Sequence, residues 1–149
     1  MTRIINALSE ISAQYDALFV DLWGCVHNGV KAIPSAVAAL QDYRKKGGKV
    51  ILVTNSPRPR ANVEIQLETF GVAKDCWDDI ASSGDSARSA LFRGTVGSKV
   101  YFIGQPHDQA IFEPIEIVKD PIEITQVPLD QAEGIVCMGP VDPQADPDV

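Results

Sequence analysis

Two short, unbroken apolar runs constrain the fold of this chain more than any other feature. They are Ala17-Leu18-Phe19-Val20, ending at Asp21, and Val50-Ile51-Leu52-Val53, which follows Lys49 in the same strand and ends at Thr54. A strand with no polar alternation is expected to be covered on both faces, as in a parallel sheet flanked by helices. Between the runs, Pro34 and Ser35 open a segment that puts Val37, Leu40 and Tyr43 on one helical face, carries basic residues in its last turn and stops at Gly47-Gly48. Strand, helix, strand is a βαβ unit, whose crossover is right-handed and whose strands run parallel. Asp21 and Thr54 are therefore predicted to emerge at the same edge of one sheet, where open α/β sheets take their ligands.

The flanking segments extend this pattern. Thr2 can cap a helix with Ile4, Ile5, Leu8 and Ile11 at helical spacing, ending near Tyr15. Beyond Asp21 and Gly24, the Asn28-Gly29 pair between apolar residues predicts a hairpin flap beside the strand end. Ser56-Pro57 reads as an N-cap and first helical residue, with Val63, Leu67 and Phe70 inward and Gly71 as terminator. From Ala81 the texture changes: Ser83-Gly84-Asp85-Ser86 caps a helix through Leu91 and Phe92, and Val100-Tyr101-Phe102-Ile103-Gly104 reads as a strand. Ile115-Glu116-Ile117-Val118 and Gly134-Ile135-Val136-Cys137-Met138 follow as extended runs between proline-marked loops. This places a boundary near residue 82, with one domain over 1–82 and a second over 83–149; no internal repeat is visible.

Composition narrows the function. With 45% hydrophobic and 22% charged residues in 149, the chain is an ordinary globular sequence rather than a disordered one. A net charge of −7 with one basic cluster, Arg44-Lys45-Lys46, offers no face for a nucleic-acid backbone. An acidic protein that handles an anionic ligand must create positive potential locally, from a metal ion and main-chain N–H groups. Cys25, Cys76 and Cys137 are odd in number and lack C-x-x-C spacing, which points to reduced thiols in the cytoplasm rather than to disulfides or zinc. No apolar run reaches the roughly 18 residues of a membrane span, and no export signal opens the chain.

A carboxylate at the end of a buried strand is well placed for catalysis, although Asp there also serves as a turn former, and a strand-end Thr is also explained by β propensity. Context discriminates. Phe19-Val20-Asp21-Leu22-Trp23-Gly24-Cys25-Val26 resembles the first motif of the haloacid dehalogenase superfamily, and Ile51-Leu52-Val53-Thr54-Asn55 resembles its second, in the right order and at a fitting spacing. Ser83-Gly84-Asp85 and the strand after it are similar to the class IIA (NagD-like) branch, in which a cap domain follows the second motif. Within that branch the chain looks like the subgroup with Asp-Leu-Trp-Gly at the first motif, described as predicted sugar phosphatases. The resemblance implies a Rossmann-like α/β core with a parallel sheet, followed by the opening part of an α/β cap.

It also implies a chemistry. Asp21 would attack phosphorus in line to form an aspartyl-phosphate that water then hydrolyses. Mg2+ would sit between Asp21 and the phosphate, with the main-chain carbonyl of Trp23 as a further ligand. Thr54 would donate its hydroxyl to a phosphoryl oxygen, joined by N–H groups of Leu22, Trp23, Gly24 and Asn55. The implied partner is a small phosphorylated substrate, with neither nucleic acid nor membrane; a homo-oligomer is compatible with it.

Trp23 departs from the family pattern, which usually has there a second aspartate that protonates the leaving alcohol. Three readings remain: a leaving group that needs no proton, such as an acyl phosphate or phenolic ester; another acid, such as His27 on the flap, which as a turn histidine is otherwise a surface residue; or a weak or retired enzyme. The lysine and acidic pair that complete family sites after the cap are not found. Lys119-Asp120 falls in the cap-like stretch, and Asp142 and Asp146 read as loop residues. The expectation is a chain that stops partway through its cap. Arg58 and Arg60 could reach an anion but fit a solvated helical turn, and Trp77 fits packing. The rivals are a catalytically incomplete phosphate- or protein-binding module, and a hydrolase of carbon–halogen bonds, whose members also lack the second aspartate.

Overall fold

The computed structural model describes residues 4–140. Thr2, Asp142 and Asp146 lie outside them. The chain divides into two compact units: one comprises the residues up to Ser56 together with Arg60–Ser82, the other Pro57–Pro59 and the residues from Ser83 onward.

In the first unit, β1 (Ala17–Asp21), β2 (Lys49–Thr54) and β3 (Asp79–Ser82) form a parallel three-stranded sheet in the order β1-β2-β3. Helices α1 (Pro34–Lys45) and α2 (Arg60–Thr69) make the two crossovers. The sequence puts α1 where the physics favours it: proline at the first helical turn needs no N–H partner, and Gly47, at φ +93°, takes the left-handed conformation that ends the helix. Val37, Leu40 and Tyr43 of α1 and Val63 and Leu67 of α2 share one core with Val50, Leu52 and Ile80. Tyr43 also donates its hydroxyl to the Tyr15 carbonyl at 2.6 Å.

The register pairs Leu18 with Val50, Val20 with Leu52, and Leu52 with Ile80, so these side chains line one face, the face both helices cover. The opposite row holds Phe19, Val53 and Ala81, all exposed, with Phe19 at 77%. The expected double coverage of the strands is therefore corrected: both crossovers return on the same side, and among the described residues nothing covers the other. The third strand was not anticipated.

Three further expectations change. Residues 4–16 form two 3-10 turns, Leu8–Glu10 and Ser12–Gln14, instead of an α-helix. The Glu10 carboxylate accepts the N–H groups of Asn6 at 2.8 Å and Ala7 at 3.2 Å, which caps a single turn, and so short a segment does not repay helix nucleation. Helix α2 begins at Arg60 rather than Pro57, because a residue preceding proline, here Arg58 before Pro59, is disfavoured in helical conformation. The flap is a turn closed by one antiparallel bridge, His27 to Ala32.

The second unit has its own parallel sheet. Following α3 (Ser83–Phe92), strand β4 (Lys99–Ile103) lies between β5 (Thr125–Gln126) and β6 (Gly134–Cys137). Its core gathers Leu91, Val100 and Ile111, with Phe102 edge-on to Phe112 at 5.4 Å. The Arg88 side chain is buried, its guanidinium donating to the carbonyls of Glu113 and Pro114 and pairing with Asp85 at 3.2 Å. The segment 115–118, expected to be extended, is a turn in which Val118 N–H reaches the Ile115 carbonyl at 3.1 Å and Asp120 follows at φ +52°. No helix among the described residues is long and apolar enough to cross a membrane.

Candidate active site at the carboxyl end of the first sheet

The carboxyl ends of β1 and β2 bring the two leading candidates to neighbouring positions. Asp21 is the last residue of β1 and pairs in register with Val53; Thr54 stands one residue further along β2. Because side chains alternate along a strand, they leave on opposite faces of the pleat. Asp21 follows the open row of Phe19, and Thr54 follows the covered row of Val50 and Leu52. Asp21 is exposed and Thr54 is 9% exposed, beside Ser82, its register partner at the end of β3.

The loop after Asp21 is tightly organised. Leu22 and Val26 sink into the core and anchor it. The Leu22 carbonyl accepts the N–H groups of Cys25, Val26 and His27 at 3.3, 2.9 and 3.2 Å, and Gly24, at φ +76°, donates to the His27 carbonyl at 2.8 Å. Asp21 Oδ1 accepts the Leu22 N–H at 2.8 Å. Of the amides expected to hold a phosphoryl group, those of Leu22 and Gly24 are thus engaged within the loop, and a ligand would take them by exchange. At the other strand end, Thr54 Oγ1 accepts the Ser56 N–H at 3.1 Å, and Asn55 is exposed between them.

Asn28 Oδ1 accepts the N–H groups of Val30 and Lys31 at 3.0 and 2.9 Å, and the positive φ falls on Gly29 at +85° rather than on Asn28. The turn centre is accordingly Gly29-Val30. This turn tucks His27 inward, correcting its expected place on the surface: it is 4% exposed, its Nδ1 accepts the Gly29 N–H at 3.0 Å, and its ring lies 4.9 Å from that of Phe70. Burial pushes its pKa below the ordinary 6.5, opposed by the nearby charge of Asp21. Trp23 remains 68% exposed, yet its ring meets His27 edge-on at 5.9 Å and rests on Gly29, where a Cβ would collide with it.

Arg60 pairs with Asp79 at 2.7 Å, across α2 and β3, so its partner is a protein carboxylate. Trp77 is core packing as expected, with Lys74 lying 3.8 Å over its ring. Lys119 and Asp120 are exposed in the second unit. For a magnesium ion, Asp21 and the Trp23 carbonyl fit in kind, being oxygen donors; among the described residues no group of three His, Cys, Asp or Glu side chains is gathered to hold a metal. Ser82 is the site-edge residue that sequence reasoning missed; its signal was the alternation of Asp79, Ile80, Ala81 and Ser82.

Comparison with known proteins adds a family. Residues 18–117, which include Asp21 and Thr54, match the family of haloacid dehalogenase-like hydrolases. The crystal structure of a hydrolase of the haloacid dehalogenase-like family from Brucella suis 1330 is similar over 96% of this chain, at 36% identity and a TM-score of 0.81. This chain covers 49% of that one, about half its length. No curated protein matches.

Proposed function

This chain belongs to the haloacid dehalogenase-like hydrolases, and from that premise we propose that it serves a magnesium-dependent phosphatase acting on a small phosphate ester, a sugar phosphate being one such class. What carries the reading is an exposed carboxylate, Asp21, ending one parallel strand beside Thr54 at the end of the next. Asp21 makes the in-line attack on phosphorus, the ester oxygen departs, and water cleaves the resulting aspartyl-phosphate. Thr54 donates its hydroxyl to a phosphoryl oxygen and, with the N–H groups of Leu22, Trp23, Gly24 and Asn55, steadies the charge that develops there. The Asp21 carboxylate and the Trp23 carbonyl would hold magnesium, which would offset the repulsion between carboxylate and phosphate. The second unit belongs, on this reading, to a class IIA (NagD-like) cap, and the cytoplasm is the compartment.

Acid quenching of the chain during turnover of a phosphorus-labelled ester tests the covalent step. Label bound to protein at Asp21 and released by hydroxylamine supports it; phosphate release with no label ever bound to protein sinks it. The second reading, a module that binds phosphate without turnover, is motivated by Trp23, whose indole two residues after Asp21 can neither give nor take a proton. Calorimetric binding of phosphate and magnesium with no hydrolysis of any ester would select it.

A further inference from the structure

The loop from Leu22 to Ala32 contains three titratable side chains, Cys25, His27 and Lys31, and no carboxylate. Among the described residues no hydrogen bond or ion pair fixes Cys25 or Lys31. His27 is fixed by geometry: it is 4% exposed and its Nδ1 accepts the Gly29 N–H, which keeps the ring inside the turn. The loop beside Asp21 thus holds no carboxylic acid to protonate a departing oxygen, and its imidazole is enclosed by the turn.

What the loop presents instead is an aromatic face. Trp23 follows Asp21 by two residues and is exposed, yet three features hold it still: the edge contact with His27, the seat on Gly29, and the main-chain bridge to His27. An exposed ring already fixed in place loses little further entropy when a ligand lies on it, which makes it an effective stacking surface.

We propose that the site selects phosphate monoesters of aromatic alcohols, with Trp23 as the specificity-determining residue that stacks on the ring. The inference rests on the phosphatase reading. The Asp21 oxygen bonds to phosphorus as the P–O bond to the ring breaks, and the electron pair leaves on the phenolate oxygen, whose charge the ring delocalises, so no protein acid is needed. Water then attacks phosphorus, the bond to Asp21 breaks, the carboxylate is restored, and the water proton leaves with the phosphate.

The test is steady-state hydrolysis by the full chain, in magnesium buffer, of phenyl and 2-naphthyl phosphate against glycerol phosphate and glucose 6-phosphate. Absent acid catalysis, kcat/KM for the aryl esters should exceed that for the alkyl esters by about 100-fold or more. Trp23→Ala should raise KM for 2-naphthyl phosphate roughly three- to tenfold, and Trp23→Asp, which supplies an acid, should speed the alkyl esters. Comparable rates on both classes, or an unchanged naphthyl KM in Trp23→Ala, overturn this inference and leave the phosphatase standing. Hydrolysis of neither class overturns the phosphatase reading itself, and this inference with it.

Discussion

The indole of Trp23 lies directly on Gly29, closer than any residue with a Cβ at position 29 would allow. Gly29 also sits at φ +85°, a conformation that other residues adopt only with strain. One glycine thus sets both the turn that buries His27 and the seat that holds an exposed aromatic ring next to Asp21.

Gly29→Ala should consequently destabilise the first unit by about 1–3 kcal/mol, from backbone strain and displacement of the ring. Urea denaturation measures the loss. An unchanged midpoint would mean that the Trp23 seat is not a constraint.

His27 makes stability depend on pH near neutrality. Its pKa is lower folded than unfolded, so the unfolded chain takes up a proton first as pH falls below the ordinary 6.5. The contribution is fully present above that value and is lost on acidification through the folded pKa. His27→Asn, which keeps an acceptor for the Gly29 N–H, should flatten the dependence between pH 7.5 and 5.5. Parallel curves for the two proteins would rule this out.

Asp78 ties the amino end of β2 to α1. Its carboxylate accepts Arg44 Nε and Nη2 at 3.0 and 2.8 Å and the Val50 N–H at 2.8 Å, and these bonds, Arg44 foremost, pull its pKa from 3.8 to about 2. The group is stabilising above its unfolded pKa, and that contribution disappears as pH falls toward 2. Asp78→Ala should cost about 2 kcal/mol at pH 7 by stripping a charged partner from Arg44, and should remove part of the acid sensitivity. Equal stability of variant and parent at pH 7 would contradict the tie.

The parts of the fold legible from sequence are those where period and punctuation agree. Helix α1 carries Val37, Leu40 and Tyr43 at helical spacing between Pro34 and Gly47, and β1 and β2 are apolar runs ending in polar residues; all three stand where the pattern puts them. Strand β3 is not legible in the sequence because Asp79 opens it with charge, directly after Asp78, and only Ile80 is strongly apolar. The turn at 115–118 has the sequence of a strand because its β-branched residues suit strands, and they carry no information about Asp120 at positive φ. Burial of His27 depends on three hydrogen bonds to the Leu22 carbonyl and on contact with Phe70, a residue 43 positions away, so no local pattern announces it. For the candidate site, the common strand end was readable, whereas the opposite faces taken by Asp21 and Thr54 required the register.

The most direct measurement of the central claim is phosphate release from phenyl phosphate by the full chain and by Asp21→Asn and Thr54→Val. If Asp21 is the nucleophile, Asp21→Asn loses activity by at least on the order of 10³-fold, while Thr54→Val, lacking one donor to the phosphoryl group, loses about 10²–10³-fold. Wild-type turnover in Asp21→Asn would contradict the account.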